Sequence, residues 1–356
     1  MPVEPAGAVL EHHAVAVRDG AIERVLPASE AKKKFSGYDS VELPDHVLIP
    51  GLVNTHTRAA LALMRGLPGL RVQAAEKRLL SADFVRDGTA LACAEMLSGG
   101  VTCFADRYFF PGAALDAAQA AGMRVVLGLL VQDEPSAYAS DSDDYLRKGL
   151  AFRDSASDQA FCFAPQSVSD ATLKRIGTLA AELDLPVLAD EPLERLHRLG
   201  LLGPGLVALH AEARDIPTLA RHGCSVVNGP SGTLNVALGT GDAARHFRLD
   251  LFSAMRRSGL PAHAALRAAT LGGARALGLG ERIGSIEAGK RADLVAVALR
   301  GPELTPCYDP VALLVHAAGR QHVTHVWVDG QLKHPAARLE NRAQLWQNAL
   351  ESHADS

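Results

Sequence analysis

The chain has 356 residues, 48% of them hydrophobic and 21% charged, with a formal net charge of −4. That size allows one large domain or two smaller ones, and the balance excludes a disordered or fibrous chain. No long block of one sign occurs and no apolar run is long enough to span a bilayer, so neither nucleic acid nor a membrane is an expected partner.

The first residues, MPVEPAGAVLEHHAVAV, hold no basic segment followed by an apolar core, so no signal peptide is expected. HHAVAVRDGAIERVLPA alternates valines, turns at Asp19-Gly20 and continues as a second strand, which is a hairpin pattern. From about residue 48 to 278, β-rich runs alternate with amphipathic ones. VLIPGLV precedes SADFVRDGTALACAEMLSGG, VTCFAD precedes PGAALDAAQAAG, and RVVLGLLV precedes SDDYLRKGLAFRD. AFCFAP then leads into VSDATLKRIGTLAAELD, where Ser169 or Asp170 can cap the helix, LPVLAD into EPLERLHRLG, and GLVALHA into DIPTLARHG. Alternation of this kind means parallel strands with helical crossovers, and six or more units fit a TIM-type (β/α) barrel better than a short open sheet.

One stretch breaks the pattern. In CSVVNGPSGTLNVALG only Gly229 to Thr233 join Asn228 to Leu234, where parallel neighbours normally need a dozen connecting residues. An antiparallel hairpin over residues 224–240 is the alternative there. Towards the C-terminus, IGSIEAGKRADLVAVAL and HVTHVWVDGQLK read as strands, the second with another Asp-Gly turn. Residues 1–49 and 281–337 are therefore expected to form a composite β-sandwich beside a barrel of residues 50–280. Buried strand positions in it should include Val15, Val17, Ile49, Leu294, Val295, Val326 and Val328. The tail, 338–356, reads as a helix. The five cysteines are scattered and form no CxxC, which suits reduced thiols and a cytoplasmic location. No GKS or GKT follows the glycines of GPSGT, and GxSxG does not occur, so neither a phosphate loop nor a nucleophile elbow is indicated.

LIPGLVNTH, EPLERLHRLGLLGP, LRAATLGGARALGLGERIGSIEAGKRADLVAV and HVTHVWVDG together resemble the amidohydrolase superfamily. The nearest branch is that of the methylthioadenosine/S-adenosylhomocysteine deaminases, with chlorotriazine hydrolases as relatives. The resemblance covers nearly the whole chain. It implies a TIM-type α/β barrel with a small β-sandwich, and hydrolysis of an amino group from a purine-type ring by a metal-bound water. It also implies His-x-His after the first barrel strand, a histidine after the fifth, an aspartate after the eighth, a glutamate near the fifth that moves protons, and a histidine after the sixth.

Carried over residue by residue, His56 matches the first histidine. Arg58 stands where the second belongs, and a guanidinium has no lone pair to give a metal. Gln166 replaces a substrate-contacting histidine after the fourth strand, and Asn228 replaces a histidine after the seventh. Glu191 falls at the acid/base position, which puts Leu188 where a ligand belongs. His210 matches the sixth-strand histidine. Gly241 takes the place of the aspartate and Asp242 is displaced by one residue.

Strand C-termini are where this fold builds its sites. The expected pocket is His56, Arg58, Asp106, Arg107, Glu134, Gln166, Asp190, Asn228 and Asp242, with Glu191 and His210 as catalytic remnants. An acid among Asp106, Glu134, Asp190, Glu191 and Asp242 is expected to pair with Arg58, because an uncompensated buried charge is costly. No metal residues are assigned. The expectation is that the family zinc or iron is absent, so that zinc is not bound tightly and adenosine-type substrates are not deaminated. The chain is then a non-catalytic homologue, or an engineered loop-shortened scaffold derived from a purine-nucleoside-type deaminase. One alternative is an active deaminase of methylthioadenosine or S-adenosylhomocysteine with a rearranged metal site. Another is a module binding a polar small molecule. Homo-oligomerisation is left open.

Overall fold

The computed structural model describes residues 1–5, 7–230, 234–333 and 340–351. At the N-terminus β1 (His13–Arg18) pairs antiparallel with β2 (Ala21–Pro27). The turn between them uses Asp19 and Gly20 at φ 51° and 76°, the left-handed pair that a two-residue hairpin needs. Next, β3 (His46–Pro50) runs directly into the barrel.

Among the described residues eight strands form one parallel sheet in chain order. They are β4 (Leu52–Thr57), β5 (Val101–Asp106), β6 (Arg124–Val131), β7 (Ala160–Pro165), β8 (Val187–Ala189), β9 (Leu206–Ala208), β10 (Ser225–Val227) and β11 (Asn235–Ala237). The two edges meet. Thr57 bridges Gly241, Thr55 N donates to Leu238 O at 3.1 Å, and Gly241 N donates to His56 O at 2.9 Å. The buried Asn54 side chain completes the seam, donating to Thr240 Oγ1 at 2.8 Å and accepting from Thr240 N at 3.0 Å.

Strand alternation sorts side chains onto two faces. Val53, Cys103, Ala105, Val126, Cys162, Leu188, Val207, Val227 and Ala237 fill the barrel interior. Leu52, Phe104, Leu127, Phe161 and Phe163 face the helical layer. Each large side chain buried there contributes about 1.5–3 kcal/mol. Crossover helices begin at side-chain caps: Ser81 accepts from Phe84 N, Asp141 from Asp144 N, and Ser169 from Thr172 N.

The segment at 224–240 is not a hairpin. Ser225, Val226 and Val227 pair parallel with Asn235, Val236 and Ala237. The chain returns through residues 228–234, of which 231–233 lie outside the described residues. Asn228 makes the short return workable: it takes φ 56°, and its amide clasps Gly239 through Nδ2 to O at 2.9 Å and N to Oδ1 at 3.1 Å.

Beyond the barrel, β12 (Leu294–Ala298) sits between β3 and β13 (Val323–Val328), and β14 (Gln331–Lys333) pairs with β13, all antiparallel. Both chain ends meet here. Ile22, Ile286, Ala292 and Leu294 form a small core against which Val15, Val17 and Trp327 pack. Ile49, Leu294, Val295, Val326 and Val328 are buried, whereas Val15 and Val17 pack against this core but are only half-buried. Arg124, at the start of β6, forks onto Asp293 at 3.1 and 3.2 Å and reaches Asp329 at 2.7 Å, joining the barrel to this unit. The tail forms a helix over Glu340–Glu351; the remainder of the expected tail helix, residues 338–339 and 352–356, lies outside the described residues. Among the described residues no helix is long and apolar enough to cross a membrane.

Candidate active site at the barrel mouth

The sheet pairing slips between Asn54 and Thr57, which decides what β4 delivers. Asn54 faces the helical layer beside Met96, while His56 lies against the C-terminal mouth. Gly239 is required beneath it: a Cβ there would come within 2.8 Å of the His56 Cβ. Burial, then the charges of Arg107 and Arg58, push the His56 imidazole well below its ordinary pKa. It is therefore neutral, with a lone pair on one ring nitrogen. His210 and His246 also bear electrostatically on it.

Arg107 follows β5 and is 3% exposed. Its Nη2 donates to Pro165 O at 3.0 Å and its Nη1 lies 3.5 Å from His56 Nε2. Burial and the neighbouring Arg58 bring its guanidinium down to about 10, still charged at neutral pH. Arg58 is half-buried and donates to Gln166 Oε1, just beyond β7. The expected carboxylate partner of Arg58 is not there. The partly exposed guanidinium keeps some of its hydration, and the nearby acids are held elsewhere.

Asp106 shows how. It is 3% exposed and accepts from Ala59 N at 2.8 Å and Thr57 Oγ1 at 3.2 Å, so it braces the turn after β4 rather than lining a pocket. Burial raises its carboxyl from 3.8 to about 6, held back by those two hydrogen bonds. An acid raised by folding stabilises the fold fully below its unfolded pKa and loses that contribution as pH rises through the folded value. Asp106→Asn keeps the acceptor and removes the charge. The variant should be level with the parent near pH 4 and more stable by about 2 kcal/mol at pH 8, with the unpaired amide hydrogens offsetting the remainder. Denaturant melts at the two pH values check this.

The other expected residues are less converged. Asp242 caps the turn Ala243–His246, accepting from Arg245 N at 2.7 Å. Glu191 pairs with Arg195 at 2.5 Å, and Asp190 lies 3.7 Å from His210 at an exposed rim. Glu134 is exposed, its loop held by Gln132 Nε2 on its backbone oxygen. Asn228 is occupied with Gly239 and serves the fold. Leu188 lies in the barrel interior. Two contributors were missed in the sequence. His246 comes near His56 through the short turn after Asp242, and Tyr108 donates to Glu76 Oε1 at 2.6 Å, bringing the helix Gly69–Leu79 to the β5 end of the mouth. Nothing in local spacing marks either. Among the described residues no three His, Cys, Asp or Glu side chains come close enough together to hold a metal ion.

Comparison with known proteins places this architecture. The chain is 35% identical to the 5-methylthioadenosine/S-adenosylhomocysteine deaminase of Saccharophagus degradans, over 93% of this chain and 89% of that protein. It is 30% identical to the 5'-deoxyadenosine deaminase of Methanosarcina mazei, over 93% and 90% of the two. A crystal structure of an adenosine deaminase from Xanthomonas campestris with bound zinc superposes with a TM-score of 0.93 at 35% identity, covering 99% of this chain and 97% of that one. The atrazine chlorohydrolase TrzN of Arthrobacter aurescens, at 18% identity and a TM-score of 0.83 over 96% and 95% of the chains, shares the fold. With residues 47–190 and 208–333 matching the profile of that family, the chain belongs to the amidohydrolase family.

Proposed function

We propose that the chain is a hydrolytic deaminase of adenosine-type nucleosides, in the class of 5-methylthioadenosine and S-adenosylhomocysteine. The observation that carries the reading is the 35% identity, over 93% of the chain, to a deaminase of those two compounds. This favours the active-enzyme alternative over a non-catalytic or engineered scaffold.

The expected absence of a metal is corrected by the same comparisons. The Xanthomonas campestris adenosine deaminase, equally similar over almost the full chain, has zinc bound, so zinc is the cofactor expected here. A bound zinc lowers the pKa of its water towards 7. The neutral His56 imidazole is a suitable donor, but Arg58 is not, and the described residues as placed do not complete a three-donor set. No reaction step is therefore assigned to the ion.

The chain's own groups support the reading in three ways. His56 offers a neutral nitrogen at the mouth. Arg107 holds that ring from one side, 3.5 Å away. Glu191, braced by Arg195, and His210, beside Asp190, are the candidates for moving protons to the leaving amine. The test is ammonia release from methylthioadenosine, S-adenosylhomocysteine, 5'-deoxyadenosine and adenosine, with zinc supplied during purification. Turnover of at least one is expected. Zinc-loaded, folded protein that releases ammonia from none of the four defeats the proposal.

A further inference from the structure

We infer that the barrel mouth binds an anion, a carboxylate or a phosphate, on the guanidinium of Arg58 in the positive field of Arg107. The inference does not depend on the deaminase reading.

Two arginines follow adjacent strands, and among the described residues neither has a carboxylate within the 4.0 Å of an ion pair. Elsewhere in the fold, arginines with comparable burial are paired. Arg124 has Asp293 and Asp329, and Arg195 has Asp170 and Glu191. At the mouth the acids are spent on other groups: Asp106 on Ala59 N and Thr57, Glu191 on Arg195, Asp190 beside His210, and Asp242 on Arg245 N.

The hydrogen-bond partners of the guanidiniums are instead neutral, with Asp190 and Glu191 acting on Arg107, and Asp106 on Arg58, only from beyond ion-pair distance. Arg58 meets the amide oxygen of Gln166, and Arg107 meets a backbone oxygen and, at 3.5 Å, an imidazole nitrogen. The Arg107 Nε is buried with no partner at all. A buried donor on a charged group is costly when unpaired, and a planar guanidinium fork matches a carboxylate or phosphate edge better than a single amide oxygen. Arg58 is the accessible member of the pair. An anion arriving from solvent displaces Gln166 from it and is further attracted by the Arg107 charge.

The experiment is titration calorimetry at constant ionic strength with inorganic phosphate and, separately, acetate. Saturable binding of at least one to the unmodified protein is expected. Arg58→Gln should weaken it about tenfold or more, and Arg58→Lys by less, since it keeps the charge but not the fork. Arg214→Gln, at an exposed arginine of the rim, should change nothing. Preference for phosphate assigns a phosphate ester as the natural ligand, and preference for acetate assigns a carboxylate. Absence of binding of both anions, equal binding by Arg58→Gln, or equal weakening by Arg214→Gln overturns the inference. Circular dichroism of each variant separates loss of binding from loss of fold.

Discussion

His56→Ala is expected to lower ammonia release about 10²–10⁴-fold, the range that a positioned imidazole supplies in proton transfer. The residue is singled out by three independent features. It stands at the end of the first barrel strand, where the chain closes on Gly241. Its Cβ and backbone nitrogen lie against Gly239, whose missing side chain makes the room. Burial and two arginines keep it neutral, the form that accepts a proton or gives a lone pair. His56→Gln keeps hydrogen-bonding capacity without the ring nitrogen chemistry, and should be nearly as inactive while retaining the parent melting temperature. If His56→Ala turns over the best substrate within a few-fold of the parent rate, the mouth is not where the chemistry occurs.

Asp293→Ala carries the largest expected effect on stability. The Asp293 side chain is 1% exposed and takes both arms of Arg124, and its Oδ1 also accepts from Asp329 N at 2.9 Å. Removing it leaves the guanidinium largely buried with only Asp329 beside it, and breaking a buried pair from one side costs about 3–5 kcal/mol. A fall in melting temperature of roughly 4–7 °C is expected. Asp329→Ala, at a carboxylate 40% exposed, should cost only about 1 kcal/mol. Burial pushes the Asp329 carboxyl up, but hydrogen bonds from Arg291 and Arg124 outweigh it, so the group is held below the ordinary range. Its contribution is thus complete above the unfolded carboxylate value of about 3.9 and is lost as pH falls through the lower folded value. Scanning calorimetry of both variants checks the ranking; equal effects would mean that Asp293 is not the anchor between barrel and sandwich.

The frame was legible because it is written in short-range chemistry. Valine alternation, two Asp-Gly turns and Ser or Asp caps each determine local geometry, and the structure places strands and helices accordingly. The sequence was less informative where geometry comes from distant parts of the chain. The return at 228–234 looks too short for parallel strands until the Asn228 amide is seen holding Gly239 across it. Asp106 reads as a pocket acid, yet the backbone of Ala59, reached only after β4 and β5 pair, holds it on the helical-layer side of the barrel. Arg58 was expected to find an acid and instead meets Gln166, 108 residues away in sequence. The metal expectation failed for a different reason. Single substitutions such as Arg58 and Gly241 were read as loss of the cofactor, whereas a 35% identical zinc-containing structure covers almost the entire chain.

The most direct measurement is zinc titration of metal-free protein, with occupancy by atomic absorption and ammonia release from methylthioadenosine recorded at each step. The rate is predicted to rise with bound zinc, to saturate near full occupancy, and to vanish with a chelator. Full occupancy without ammonia release, or a rate that does not follow bound metal, would contradict the account.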